Sequence, residues 1–354
     1  MFDDVAGPMR FGRRKAIAGA AALALTATVS PLRTTGAQLF GDSETPSSLL
    51  GELLALVPAE AMASPSNAWV DFFLPGVTLD ALWPPPIRAA VEMAAWDLLG
   101  RVLRQPLCNL LGGFYRRRIP VSVRLEGCGC ETAANESREL AEQGFHTITV
   151  AGSGNPDDDA AAVKAIRELL GDRITLRLDG QGLYDFEVAR DICAELEYEG
   201  LQYFLDPIKT AEIHPSAVLG RQTNVPLALW RSIRAGGDVF AAARCGAAPF
   251  VVIDLEQLGG IAPAKACAAV ACAAGIIPVL GCRASSGVST AAMLHLAAST
   301  PAISIANEIA PCQLRDSVLA DSPEIVEGMI LVPESPGLGV EVDRSKLERR
   351  RPIV

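Results

Sequence analysis

The chain has 354 residues, half of them hydrophobic and one-fifth charged, enough to bury a large core in one big domain or in one with a small companion. That balance excludes a disordered or fibrous chain. The formal net charge is −10, and so acidic a surface does not suit nucleic acid or anionic membranes as partners.

The first segment reads as a targeting element. Arg10, Arg13, Arg14 and Lys15 precede an apolar run from Ala16 to Val29, and Thr35-Gly36-Ala37 is a small-residue pattern of the kind signal peptidases cut. Residues 1–37 are therefore expected to be an export signal, with a periplasmic or extracellular mature chain. The Arg13-Arg14 pair points to the twin-arginine route. A short membrane anchor is the competing reading, but the run falls below the roughly 20 apolar residues that span a bilayer. Removing residues 1–37 deletes five Lys/Arg and two Asp/Glu, a net +3, and takes the charge from −10 to −13.

Nine cysteines in an exported chain raise the question of disulfides. They are scattered singly apart from Cys128-Gly129-Cys130, and Cys267 and Cys272 lie in an apolar helical stretch. Buried free thiols are the expectation, because cysteine packs as a small hydrophobe. The odd count leaves at least one unpaired, and no Cys/His group has structural-zinc spacing.

Residues 38–118 are expected to form a reduced, mainly helical N-terminal capping domain. Ser48–Leu56 is a helical patch, and after Trp83-Pro84-Pro85-Pro86 the spacing predicts an amphipathic helix over 87–102, with Ile87, Val91, Ala94, Leu98 and Val102 on one face. From residue 119 to 340 short β-rich runs at 119–125, 146–150, 174–178, 201–205, 225–229, 249–254 and 276–280 alternate with segments of helical period, such as 157–170 and 261–274. Parallel strands with right-handed crossovers follow. Seven or eight such units fit a TIM-like (β/α)7β barrel, whose function sits at the carboxyl ends of the strands. Residues 341–354 are left as a tail.

These motifs carry a resemblance. Ala95-Trp96-Asp97-Leu98-Leu99-Gly100, Leu110-Leu111-Gly112-Gly113, Leu178-Asp179-Gly180-Gln181, Phe204-Leu205-Asp206-Pro207, Gly259-Gly260-Ile261, Leu294-His295-Leu296 and Ser335-Pro336-Gly337-Leu338-Gly339-Val340 occur in an order that resembles the mandelate racemase and muconate lactonizing enzyme group of the enolase superfamily. Such proteins hold Mg²⁺ on three carboxylates from successive strands, and the ion stabilises an enolate formed when a base removes a proton beside a substrate carboxylate.

Carried over position by position, the resemblance implies a depleted site. Asp179 matches the first metal ligand. Leu205 stands in the second slot, with Asp206 beside it as a substitute ligand or as a side chain turned off the barrel axis. Arg231 stands in the third, where a guanidinium donates only and repels a cation. The expectation is that Arg231 pairs with Asp179, with Asp206 or Asp254 as further partners, leaving no buried carboxylate alone. The lysine bases that one branch carries after Gly144-Phe145 are replaced by Thr149 and Ala151. Asp254 matches the aspartate of the racemase branch's Asp–His dyad, Cys282 stands where its histidine belongs, and Ser285 stands where another branch has glutamate. Cys282 is a base only if a cation such as Arg231 lowers its pKa; otherwise it fills space. Mg²⁺ is thus implied by the family and doubtful for this chain. His295, inside a helix, reads as packing, and Trp230 as a partial plug of the barrel mouth.

Three functions are compatible with this sequence. One is a barrel that has lost metal and base and binds a small acid or a protein. The second is a divergent racemase, dehydratase or cycloisomerase that uses Asp254, with Arg231 as the electrostatic stabiliser. The third is a structural subunit, since barrels of this family often form homo-oligomers. The three-stranded lid that usually begins such chains lacks a matching alternating pattern here.

Overall fold

In the computed structural model, residues 84–126, 129–282, 287–309 and 317–349 are described. The export signal, the Ser48–Leu56 patch and any lid lie outside these residues. Helix α1 (Pro85–Leu103) starts with proline at its first position and ends at Arg104 in the left-handed region. A short turn, α2 (Leu107–Leu110), leads to β1 (Arg118–Pro120). The barrel strands follow in order: β2 (Val123–Leu125), β3 (Thr147–Ala151), β4 (Thr175–Asp179), β5 (Tyr203–Leu205), β6 (Leu227–Leu229), β7 (Phe250–Ile253) and β8 (Ile277–Leu280). Each pairs in parallel with the next.

Helices cross between the strands: α3 (Cys130–Glu142), α4 (Pro156–Leu170), α5 (Phe186–Glu195), α6 (Ile213–Gly220), α7 (Gly236–Cys245), α8 (Leu255–Leu258) and α9 (Ile261–Ala273). Sequence chemistry sets their starts. Asn155 accepts the Asp157 amide ahead of α4, with Pro156 and three aspartates in the first turn, all favourable at a helix N-terminus. After β8, α10 (Val288–Ser299) is buried on every side.

An eighth stave closes the barrel. Asn307 pairs with Val121, and Glu308 pairs with Gly281, both in parallel. The Ser122 amide donates to Asn307 O at 2.8 Å, and the Glu308 amide donates to Leu280 O at 2.8 Å. This segment is only a few residues long and has no alternating pattern, which is why its strand character escapes a sequence reading. Outside the barrel, β1 pairs antiparallel with β10 (Met329–Leu331), and β10 with β9 (Ile325–Val326). The expected tail is in part ordered, with helix α11 (Arg344–Arg349).

The predicted face of α1 is corrected. Of that face Ala94 is buried but Ile87 and Val102 are exposed, and the buried side also holds Ala89, Glu92, Met93, Trp96, Asp97 and Gly100. Two acids on the buried face broke the apolar pattern, and each is there to satisfy backbone donors. Glu92 accepts the Ile261 and Ala262 amides at the start of α9, and Asp97 accepts the Leu338 amide and pairs with Arg101 at 2.7 Å. Gly337 fits because a Cβ there would strike Asp97.

Candidate active site

Alternation along the strands divides their side chains between two compartments. Val123, Leu125, Ile148, Val150, Leu176, Leu178, Leu227, Leu229, Val251 and Ile253 belong to the large cluster packed under the helices. The other set points into the barrel, and its two halves differ in chemistry. Tyr203, Leu205, Ala228, Trp230, Val252 and Val279 form a separate apolar cluster. Across from it stand Ser122, Arg124, Thr149, Arg177, Asp179 and Glu308, linked by hydrogen bonds and ion pairs.

The ionic half is built on two arginines. Arg177, 0% exposed, donates from Nε to Gln202 at 2.7 Å, from Nη1 to Glu308 at 3.0 Å and from Nη2 to the Ala306 carbonyl at 3.0 Å. Its guanidinium also lies 4.6 Å from the Tyr203 ring centroid. Glu308 accepts further bonds from the Tyr203 hydroxyl at 2.6 Å and the Thr149 hydroxyl at 3.0 Å. Burial and the adjacent Glu308 carboxylate push the Tyr203 phenol well above its ordinary value, so it serves as a donor. The second arginine, Arg124, donates from Nη1 to Asp179 at 2.5 Å and reaches Glu126 at 3.3 Å.

The expected pairing of Arg231 with Asp179 is therefore corrected: the cation on Asp179 is Arg124. The other Asp179 oxygen accepts the Gln181 amide at 2.9 Å. Asp206 is turned to the backbone, its oxygens accepting the Trp230 amide at 3.0 Å and the Arg231 amide at 2.9 Å, which holds the β6 end in place. Asp254 caps α8 by accepting the Glu256 and Gln257 amides, and takes the Trp230 indole N–H at 3.3 Å. Cys282 is buried and packs with the large apolar cluster. Leu205 is 0% exposed and offers no donor atom.

Arg231 reaches the carboxyl end of β6 with its main chain anchored on Asp206. Its guanidinium lies against Gly182, at φ +67°, where a Cβ would collide with it. Among the described residues its hydrogen-bond partner is the Gln181 carbonyl, at 3.5 Å. Trp230, 4% exposed, packs into the apolar half and lies over Gly281; it fills the interior, where a partial plug was expected.

These residues do not fit Mg²⁺. A hard cation needs several oxygen ligands converging on one point. Here one slot holds leucine, one holds arginine, and the Asp179 carboxylate is already ion-paired. Among the described residues no group of three His, Cys, Asp or Glu stands together.

His295 is structural as expected. Nδ1 accepts the Cys108 amide at 3.2 Å and Nε2 bonds the Leu338 carbonyl at 3.1 Å, and burial pushes its pKa down to about 4. The seven described cysteines are free; Cys108, Cys193, Cys267 and Cys282 are buried, but Cys272 is exposed. A cavity of about 330 Å³ lined by Thr223, Asn224 and Pro249 lies at the amino ends of β6 and β7, away from the barrel mouth.

Arg124, Arg177, Tyr203 and Glu308 were not anticipated from sequence. The signal was present in Thr175-Leu176-Arg177-Leu178-Asp179, where two of the three inward positions, 177 and 179, carry charge although the strand is buried there.

The chain as a whole is similar to known proteins. A family model described as enolase C-terminal domain-like matches residues 132–346, and the mandelate racemase / muconate lactonizing enzyme N-terminal domain matches residues 80–112. An L-Ala-D/L-Glu epimerase from Clostridium acetobutylicum is 30% identical over 259 residues, covering 72% of this chain and 71% of that protein. An arabinonate dehydratase from Saccharolobus solfataricus is 29% identical over 258 residues, 72% of this chain and 69% of its own. The crystal structure of muconate cycloisomerase from Pseudomonas fluorescens superposes with a TM-score of 0.74 at 26% identity, covering 86% of this chain and 85% of that one.

Proposed function

We propose that this chain, which belongs to the mandelate racemase / muconate lactonizing enzyme group of the enolase superfamily, is a metal-independent member that binds a small carboxylate at the barrel mouth through Arg231. The observation that carries the reading is the Arg231 guanidinium, standing where the third metal carboxylate is expected and held only by a carbonyl at 3.5 Å among the described residues. A planar fork of N–H donors with spare capacity matches a carboxylate. The adjacent wall of Leu205 and Trp230 suits an apolar tail on the ligand. Enolate chemistry lacks its usual base on this reading, because Thr149, standing where the resemblance expects a lysine, is bonded to Glu308, and Ala151 carries no proton-transfer group.

The test is calorimetric titration of the full chain with a panel of small mono- and dicarboxylates, alongside R231A. Saturable binding lost in R231A supports the reading. Binding unchanged in R231A contradicts it, as does the absence of binding across the panel.

The second reading, a racemase, dehydratase or cycloisomerase, is favoured by the epimerase and dehydratase activities of the named relatives. Asp254 is then the base. Its oxygens are engaged by two amides and an indole N–H, which argues for a capping role instead. Deuterium uptake from solvent into a bound carboxylate, abolished in D254N, would favour this second reading over the first.

Export belongs to the same proposal and rests on Arg13-Arg14 and the apolar run after them. Retention of R13K/R14K in the cytoplasm, with the unmodified chain exported, is its expected outcome. Among the described residues no helix is long and apolar enough to cross a membrane.

A further inference from the structure

We infer that Arg124 replaces the divalent cation of this barrel: its guanidinium is the permanent counter-ion of Asp179, and Ala151 is the residue that gives it passage. This stands whether or not Arg231 binds a carboxylate.

The argument begins with Asp179. Its side chain is 1% exposed at the end of β4, where a carboxylate without a positive partner is strongly disfavoured. Relatives that bind Mg²⁺ supply that charge from solution. In this chain the neighbouring slots, Leu205 and Arg231, offer no ligand, so an internal cation has to supply it. Arg124 Nη1 does so at 2.5 Å, and the Gln181 amide takes the remaining oxygen.

Sheet register shows why this arginine reaches. Arg124 on β2 stands beside Thr149 on β3, and Asp179 on β4 stands beside Ala151 on β3. The guanidinium must therefore cross the whole of β3, two strand spacings or roughly 10 Å, and rise by one inward position. The residue it passes is Ala151, fully buried and limited to a methyl group. A lysine at 151, in the pattern expected of that strand, would fill the path and bring a second positive charge to Asp179. Alanine at 151, where the resemblance expects lysine, and arginine at 124 thus form a single physical exchange. The cation comes from β2, passes over a small residue and neutralises the carboxylate the metal would have held. Glu126, exposed beside Arg124, orients the guanidinium from its outer side.

The exchange makes the fold indifferent to divalent ions and predicts its own rescue. Thermal melts of the full chain in EDTA and in millimolar Mg²⁺ should coincide. R124A should melt lower in both, because Asp179 is left unpaired. R124A/D179N should regain most of that loss, and R124A/A151K should regain part of it by delivering a cation from the adjacent strand. Should R124A fail to fold, soluble yield of R124A/D179N against R124A gives the same comparison. An R124A melt equal to the unmodified chain would overturn the inference. So would a double variant R124A/D179N no better than R124A, or an unmodified chain stabilised by Mg²⁺.

Discussion

Replacing Arg177 with methionine is the perturbation whose size the structure fixes best. The side chain is fully buried, and its three donor contacts go to Gln202, Glu308 and the Ala306 carbonyl. Two of these three tie the eighth stave to the barrel, so Arg177 acts as a buckle for a segment that has few ladder bonds of its own. Methionine is close in volume and leaves little cavity, but it strands the Glu308 carboxylate, 7% exposed, with only hydroxyl donors from Tyr203, Thr149 and Ser122. Removing one member of a buried pair costs roughly 3–5 kcal/mol. At about 2–4 °C per kcal/mol for a domain of this size, the melting temperature should fall by roughly 10 °C. The double variant R177M/E308L should recover most of it, because a well-packed apolar pair replaces a buried ionic one at little cost. Circular-dichroism melts of the two single variants and the double decide the matter, with amide exchange at 305–309 as a local readout. An R177M melt matching the unmodified chain, or single and double losses that simply add, would refute the buckle.

Three further outcomes follow from individual residues. Desolvation at the α1–α9 contact pushes Glu92 up to about 7, so the folded state holds a proton that the unfolded state releases; that stability is fully present below about 4.5, is lost as pH rises through about 7, and amounts to at most about 3 kcal/mol. Denaturation between pH 5 and 8 should therefore show a decline that E92Q flattens, and equal slopes in the two proteins would contradict it. Burial holds His295 near 4, below its unfolded value, so its contribution is present above the unfolded pKa of about 6.5 and lost as pH falls through about 4; its imidazole NMR shifts should stay constant above about pH 5, and a titration midpoint near 6.5 would show that the ring is solvated. Gly182→Ala should displace the Arg231 guanidinium, because a Cβ collides with it, and should lower the melt modestly, because the backbone is at φ +67°; carboxylate binding should be lost in the folded protein, and intact binding would place the anion elsewhere.

Much of the barrel was legible because its signals are local. Val123, Val150, Leu178 and Ile253 alternate with inward residues, Gly and Asp mark the strand ends, and Asn155-Pro156-Asp157 announces a helix; the family motifs then fixed the order of the slots. The departures at Leu205, Arg231, Thr149 and Ala151 were legible for the same reason. What escaped was long-range. The partner of Asp179 depends on the register of three strands and on the size of Ala151, and no spacing in the sequence links residue 124 to residue 179. The eighth stave at 307–308 is defined by its neighbours, Val121 and Gly281, and carries no strand pattern. The buried face of α1 was misread because Glu92 and Asp97 serve backbone donors more than 160 residues away.

Metal independence is the central claim, and Mg²⁺ titration of the full chain by calorimetry at neutral pH, with R231E and L205E/R231E/R124A in parallel, addresses it most directly. The unmodified chain should give no saturable heat. R231E should give little, because Arg124 still occupies Asp179, and the triple variant should gain binding once carboxylates face an unpaired Asp179. Specific micromolar binding to the unmodified chain would mean that Arg124 yields its place to the ion, and would return enolate chemistry to this barrel.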